Sequence, residues 1–286
     1  MTWTVTKVSD VGVGHPVIAR LVLQTMELMK FTTISEKDRK EIGQLYFDEL
    51  QPVLIECHRL RDEIEKETVA CLATAKRDPE DARVVHMDQV MRLAQKAENF
   101  LYQAKNYLRN SLKVWAFFYG CELKDASAYI VYRNKVKSDL EKWAEGEFGE
   151  NDQVTALIRS EQQWAGRLVR MRNAVEHPGE KNGTLHIQNV RHIDGQFVGP
   201  TWHLDDDPPA TMISEMDVML DGLLTLGEDI LVAGIVPTMN DMFCIYQIPE
   251  AERDKTQPMR LKADASPEFR KKIEESHANW PPGGKA

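Results

Sequence analysis

Apolar residues recur at intervals of three and four along most of the chain, the spacing of helices that bury one face. Residues 16–31, PVIARLVLQTMELMKF, open this pattern just after His15, with apolar side chains around most of the circumference. Ser35 stands as an N-cap before a long run, EKDRKEIGQLYFDELQPVLIECHRLRDEIEKETVACLATAK. Its apolar positions include Ile42, Leu45, Tyr46, Leu50, Val53 and Leu54, and Pro52 inside it predicts a kink or a division. Asp78-Pro79 reads as the start of a second long element that runs to Gly120, a fitting helix stop. Val90, Leu93, Ala97, Phe100, Leu101, Ala104, Leu108, Leu112 and Trp115 make one apolar stripe along it. Asp125 reads as the cap of a helix reaching about Trp143 and the EGEFGEND turn. Asn151 or Asp152 caps the next, QVTALIRSEQQWAGRLVRMRNAVEH, which Pro178-Gly179 stops.

The period then changes from helical to alternating. TLHIQNVRHI, the pair Asp194-Gly195 and QFVGPTWHL predict a β-hairpin over residues 184–204 with a tight turn. DDDPPAT leads into a helix from about Met212 to Val236. MFCIYQIP and PMRLKA read as short strands, Ser266-Pro267 as the start of a short helix, and NWPPGGKA as a loose tail. Short loops between long amphipathic helices predict a mainly α fold: an up-and-down helical bundle with an inserted β-hairpin and a small C-terminal α/β appendage. Residues 1–79 would supply helices packed on the bundle, residues 80–236 the bundle with its hairpin, and residues 237–286 the short strands, short helix and tail. The apolar content of residues 82–118 exceeds what one bundle face needs, with Trp115, Phe117, Phe118 and Tyr119 gathered at its end. That excess predicts a two-fold homodimer through helical faces.

Composition narrows the function classes. With 42% hydrophobic and 28% charged residues among 286, the chain has the makings of a folded protein with a real core. The segment closest to a membrane span, residues 220–236, carries Asp221, Glu228 and Asp229, so it reads as a buried helix and no membrane partner is expected. A net charge of −9 weighs against coating duplex DNA or an anionic lipid surface, while leaving room for a local basic site. Cys57, Cys71, Cys121 and Cys244 form no CxxC pair, and MTWTVTKVSD lacks the form of a secretory signal. Together these predict free thiols in a reducing, cytoplasmic setting. Dispersed histidines, with no HExxH, predict no metal site. VGVGHP lacks both a preceding strand and a GK[ST] ending, so no cofactor is expected on its account.

The stretch at residues 171–179, MRNAVEHPG, carries the candidate chemistry. Metal-independent RNA cleavage, in which the 2′-hydroxyl attacks its own phosphate, needs a proton carrier near neutrality and a cation for the phosphorane. Histidine and arginine are suited to those roles. Arg172 and His177 are five residues apart, roughly 140° and about 7.5 Å along an unbroken helix, so they would not share a face. Pro178 pushes His177 out of helical geometry, which allows the two to converge, with Asn173 positioning either group. The competing reading is structural: Arg170, Arg172 and His177 complement the helix dipole, and Glu176 pairs with Arg172. The bare pattern of an arginine, four to six residues and a histidine also recurs by chance, as at Arg270 and His277, seven residues apart and without further support. Lys105 and Arg109, at i,i+4, either extend a phosphate-binding surface or form an ordinary solvated face, and of Arg159, Arg167 and Arg170, which precede the motif, only some, Arg170 among them, can face the cleft. Glu161, three turns before Arg172 on the same face, is either a supporting acid or an ordinary surface acid. Trp115, Trp143 and Trp164 sit at helical spacing and read as core.

Arg172, Asn173 and His177, at the end of a helix that follows AENFLYQAKNYLRNSLKVW, resemble the signature of the HEPN superfamily (higher eukaryotes and prokaryotes nucleotide-binding). The similarity covers the bundle, residues 80–236. It implies a metal-independent endoribonuclease, a toxin or defence effector with RNA as substrate and an antitoxin or defence-system partner. It also implies a dimer in which two motifs share one cleft. The tyrosine that follows the histidine in one toxin branch is absent here, where Pro178-Gly179 stands instead. Other superfamily members are inactive modules that bind RNA, a nucleotide or a protein.

Overall fold

The computed structural model describes residues 11–81, 84–132, 135–179 and 182–278, without the side chains of residues 273 and 276–278. MTWTVTKVSD, the NWPPGGKA tail from Asn279 onward and the side chain of His277 lie outside the described residues. The chain forms two compact units, one of residues 1–51 with 228–286 and one of residues 52–227. It is mainly helical, as the periodicity predicts.

The first helical run is wider than an α-helix at its start. A π-helical stretch, Ile18–Leu23, leads into α1 (Gln24–Met29). Ser35 caps α2 (Glu36–Gln44) by accepting the Asp38 N–H at 3.2 Å. Pro52 neither ends nor divides the run that follows. A second π-helical stretch, Leu45–Leu50, passes directly into α3 (Gln51–Thr74), and Gln51 N–H reaches back to the Tyr46 carbonyl. Proline has no N–H and crowds the carbonyl four residues back, and a widened turn just before it relieves both problems.

Asp78-Pro79 starts no helix. Asp78 Oδ1 accepts the backbone N–H groups of Glu80 and Asp81 at 2.8 and 3.2 Å, and the resulting turn lies between two short antiparallel strands, β1 (Lys76–Arg77) and β2 (Val85–His86). The helix begins later, as α4 (Leu93–Tyr119), after a left-handed Arg92; Gly120, at φ 67°, closes it. All nine stripe residues are buried, Val90 from just outside the helix. Asp125 caps only one 3-10 turn, Ala126–Tyr129, and Ser138 caps the true helix α5 (Asp139–Phe148). Asp152 caps α6 (Gln153–Glu176).

The expected hairpin is interrupted on both arms. β3 (Leu185–Gln188) pairs with β6 (Thr201–Leu204), while β4 (Arg191–Ile193) and β5 (Gln196–Val198) form a separate tip closed by Asp194-Gly195, both at positive φ. The break on the first arm has a cause: Asn189 turns its amide to the backbone of Val90, donating to its carbonyl at 2.9 Å and accepting its N–H at 3.0 Å. β7 (Ala210–Thr211) adds to β6 and leads into α7 (Met212–Ile235). β8 (Phe243–Gln247) and β9 (Leu261–Ala265) pair antiparallel, and α8 (Pro267–Ala278) follows. Among the described residues no helix is long and apolar enough to cross a membrane.

In the unit of residues 52–227, α4 and α5 each pack on α6, and Trp202 of β6 meets Phe100 of α4 at 6.4 Å between ring centroids. Trp115 and Tyr119, two of the four aromatic residues at the end of α4, are used within the chain. Trp115 meets Trp143 of α5 edge-on at 5.8 Å, and Tyr119 meets Phe148 at 4.8 Å. Those rings therefore supply no argument for a dimer. In the other unit the most prominent feature is polar. Glu228, fully buried on α7, accepts from Arg20 Nε at 3.0 Å and Gln24 Nε2 at 2.7 Å, and pairs with Arg260 Nε at 2.7 Å.

Candidate functional site at the end of α6

The last turn of α6 keeps its register as far as His177, whose N–H donates to the Asn173 carbonyl at 2.8 Å. The residue then leaves the helix at φ −137° and ψ 67°, because the Pro178 ring denies it helical geometry, and Gly179 completes the exit at φ 79°. His177 is exposed.

Arg172, Asn173 and Glu176 face α4. Lys105 Nζ donates to Asn173 Oδ1 at 2.7 Å and to Glu176 Oε2 at 3.3 Å. Arg172 Nη2 pairs with Glu176 Oε1 at 3.0 Å, and its guanidinium lies 5.3 Å from the centre of the Tyr102 ring. The structure thus brings Lys105, Arg172 and Asn173 together, with Tyr102 and Glu176 as further members. Nothing local in the sequence marks Tyr102, although its i,i+3 spacing from Lys105 puts both on one face of α4.

Arg172 is deep in this network. Its side chain is 13% exposed, and Nε and Nη1 are buried with no hydrogen bond among the described residues. Loss of this side chain removes a cation–π contact, an i,i+4 pair and the packing of the aliphatic stem, together about 1–2 kcal/mol. Arg172→Ala is therefore expected to lower the midpoint of thermal unfolding by a few degrees. An unchanged melting curve by circular dichroism would show that Arg172 does not staple α6 to α4.

The other sequence candidates separate. Arg109 is exposed on α4. Nearby Asp125 has its carboxyl held below the usual range, first by hydrogen bonds from Ser127 and then by the charges of Lys105 and Arg109. Arg159 is committed to Glu141 at 2.7 Å and Glu145 at 3.1 Å, and Arg167 to Glu215 and Asp207, each at 2.7 Å. Glu161 accepts from Trp164 Nε1 at 2.5 Å and from Ser160 at 3.1 Å, so it is occupied within its own helix. Arg170 is exposed and makes no ion pair or hydrogen bond among the described residues. It lines a cavity of about 400 Å³ with Tyr132, Gly179, Asn182, Thr184 and Asp205. Among the described residues no group of three or more His, Cys, Asp or Glu is arranged to hold a metal ion.

No protein-family model matches the chain, and neither a curated protein nor a solved structure matches it. A functional reading of this site rests on its own residues.

Proposed function

We propose that the protein is a metal-independent endoribonuclease of the HEPN kind, acting at the C-terminal end of α6. The observation that carries this reading is the exposed imidazole of His177 at the exit of a helix whose last two turns carry Arg170 and Arg172, with Lys105 of α4 hydrogen-bonded to Asn173 at the same end. The ribose 2′-oxygen attacks the adjacent phosphorus while the bond to the 5′-oxygen breaks. An imidazole accepts the proton of the 2′-hydroxyl, and a protonated imidazole delivers one to the leaving 5′-oxygen. Each chain offers one such histidine in the motif, so a homodimer sharing one cleft supplies both transfers. Arginine and lysine charge stabilises the phosphorane, Asn173 positions the polar groups, and Arg109 extends the basic surface. A toxin or defence role, with an antitoxin or other partner, belongs to the same reading.

A second reading has its own support. Arg172 is buried against Tyr102 and paired with Glu176, which is how an arginine that joins two helices behaves. On that reading the chain is an inactive module of the same kind that binds RNA, a nucleotide or a protein. Product analysis separates the two. Incubated with single-stranded RNA in excess EDTA, the purified protein is expected to leave 2′,3′-cyclic phosphate and 5′-hydroxyl ends. Cleavage that strictly requires added magnesium or manganese would overturn the metal-independent mechanism, and absence of cleavage under all conditions would favour the binding module.

A further inference from the structure

We propose that Arg170, not Arg172, is the cation that works with His177, and that the cavity beside Arg170 seats the nucleoside next to the phosphodiester being cut. The inference rests on the ribonuclease reading above and assigns its phosphate-facing pair.

Helical register is the first support. Because the His177 N–H still bonds to the Asn173 carbonyl, the His177 backbone nitrogen remains in the register of α6. Seven residues advance an α-helix by about 700°, within roughly 20° of two full turns, and by about 10.5 Å. The backbone nitrogen of His177 therefore sits on the same face of α6 as Arg170, whereas Arg172 is displaced from it by roughly 140°.

Availability is the second. Arg172 commits Nη2 to Glu176 and keeps Nε and Nη1 below the surface, so a phosphate reaches no free fork. Arg170 is exposed, with no ion pair or hydrogen bond among the described residues. An always-charged planar fork held open at a surface is suited to phosphate oxygens.

The third is the cavity itself, which Arg170 and Gly179 both line, so the chain after His177 runs along the face that carries Arg170. Its walls are fixed by local geometry. The 129–131 segment crosses α6 where Gly166 has no side chain, since a Cβ there would stand 3.0 Å from the Tyr129 carbonyl oxygen. Tyr129 is itself anchored by a 2.8 Å hydrogen bond between its hydroxyl and Ser111. On the opposite wall Asp205 Oδ1 accepts the Thr184 N–H at 2.7 Å, and any Cβ at Gly183 would collide with that carboxylate. Tyr132, 39% exposed, offers an aromatic ring at the rim, and Asn182, Thr184 and Asp205 offer polar groups for a base edge or a ribose hydroxyl. A second cavity of about 240 Å³ shares Val131 and Arg170, so Arg170 stands between two openings along one helix face.

The test compares the full-length wild type with Arg170→Ala. Each is given a fluorescein-labelled single-stranded RNA and, as a binding probe, the same oligonucleotide with 2′-O-methyl riboses, which cannot cyclise. Arg170→Ala is expected to melt like wild type, to bind the probe at least tenfold more weakly and to cut the RNA at least a hundredfold more slowly. If the wild type cuts and Arg170→Ala cuts within threefold of it, Arg170 is not the phosphate cation; the ribonuclease reading survives and this inference falls. If the wild type binds the probe but never cuts, the ribonuclease reading falls. The assignment of Arg170 as the catalytic cation then falls with it, whatever the binding of Arg170→Ala. Neither cutting nor binding by the wild type overturns both.

Discussion

Glu228→Ala is expected to destabilise the unit formed by residues 1–51 and 228–286 by about 3–5 kcal/mol, the range for breaking a buried ion pair by removing one partner. Glu228 is fully buried, and the side chains of Arg20 and Arg260 around it are 7% and 13% exposed. Without the carboxylate, two guanidinium groups remain out of water with one shared counter-charge lost. Asp229 still pairs with Arg260, but Arg20 loses the partner that holds both its Nε and Nη2. Gln24 also loses an acceptor, and it is Gln24 Oε1 that receives the N–H groups of Arg260 and Leu261 at 2.8 and 2.6 Å at the start of β9. The damage therefore spreads from α7 to the β8–β9 pair. Against a typical total stability of about 5–15 kcal/mol, this is a large fraction. Urea unfolding followed by circular dichroism checks it, and a shift below about 1 kcal/mol would show that this network carries little of the unit's stability.

That network also marks where the sequence is readable and where it is not. Glu228 and Asp229 stand out in an apolar helix and point to burial in protein instead of lipid, and that much is local. Their partners Arg20 and Arg260 lie far away along the chain and carry no mark that distinguishes them from surface arginines. Caps and stops with one local meaning are legible: Ser35, Asp152 and Gly120 each act as their residue type predicts. Asp78 and Asp125 are not, because an aspartate side chain closes a tight turn or one 3-10 turn as readily as it caps a helix. The hairpin break at Asn189 is equally hidden, since it depends on Val90, which is remote in sequence. At the candidate site the spacing of Arg172 and His177 is visible in the sequence, and so is the escape of His177 from the helix at Pro178. The burial of Arg172 against Tyr102 is not visible, nor is the exposure of Arg170, because both depend on how α4 and the 129–132 segment meet α6.

The second large effect is expected at His177. An exposed side chain past the end of α6 contributes little packing, so His177→Ala should melt within about a degree of wild type, as surface substitutions generally do. A positioned acid or base contributes roughly 10²–10⁴-fold to rate, so the same variant should lose at least a hundredfold in RNA cleavage. The pairing of those two results matters, because a fold-supporting histidine would lose both together and an idle one would lose neither. The most direct test is thus a side-by-side rate of RNA cleavage in EDTA for wild type and His177→Ala, with melting curves for both. The account predicts a cutting wild type and a folded, silent variant; a folded variant that cuts at the wild-type rate would contradict it.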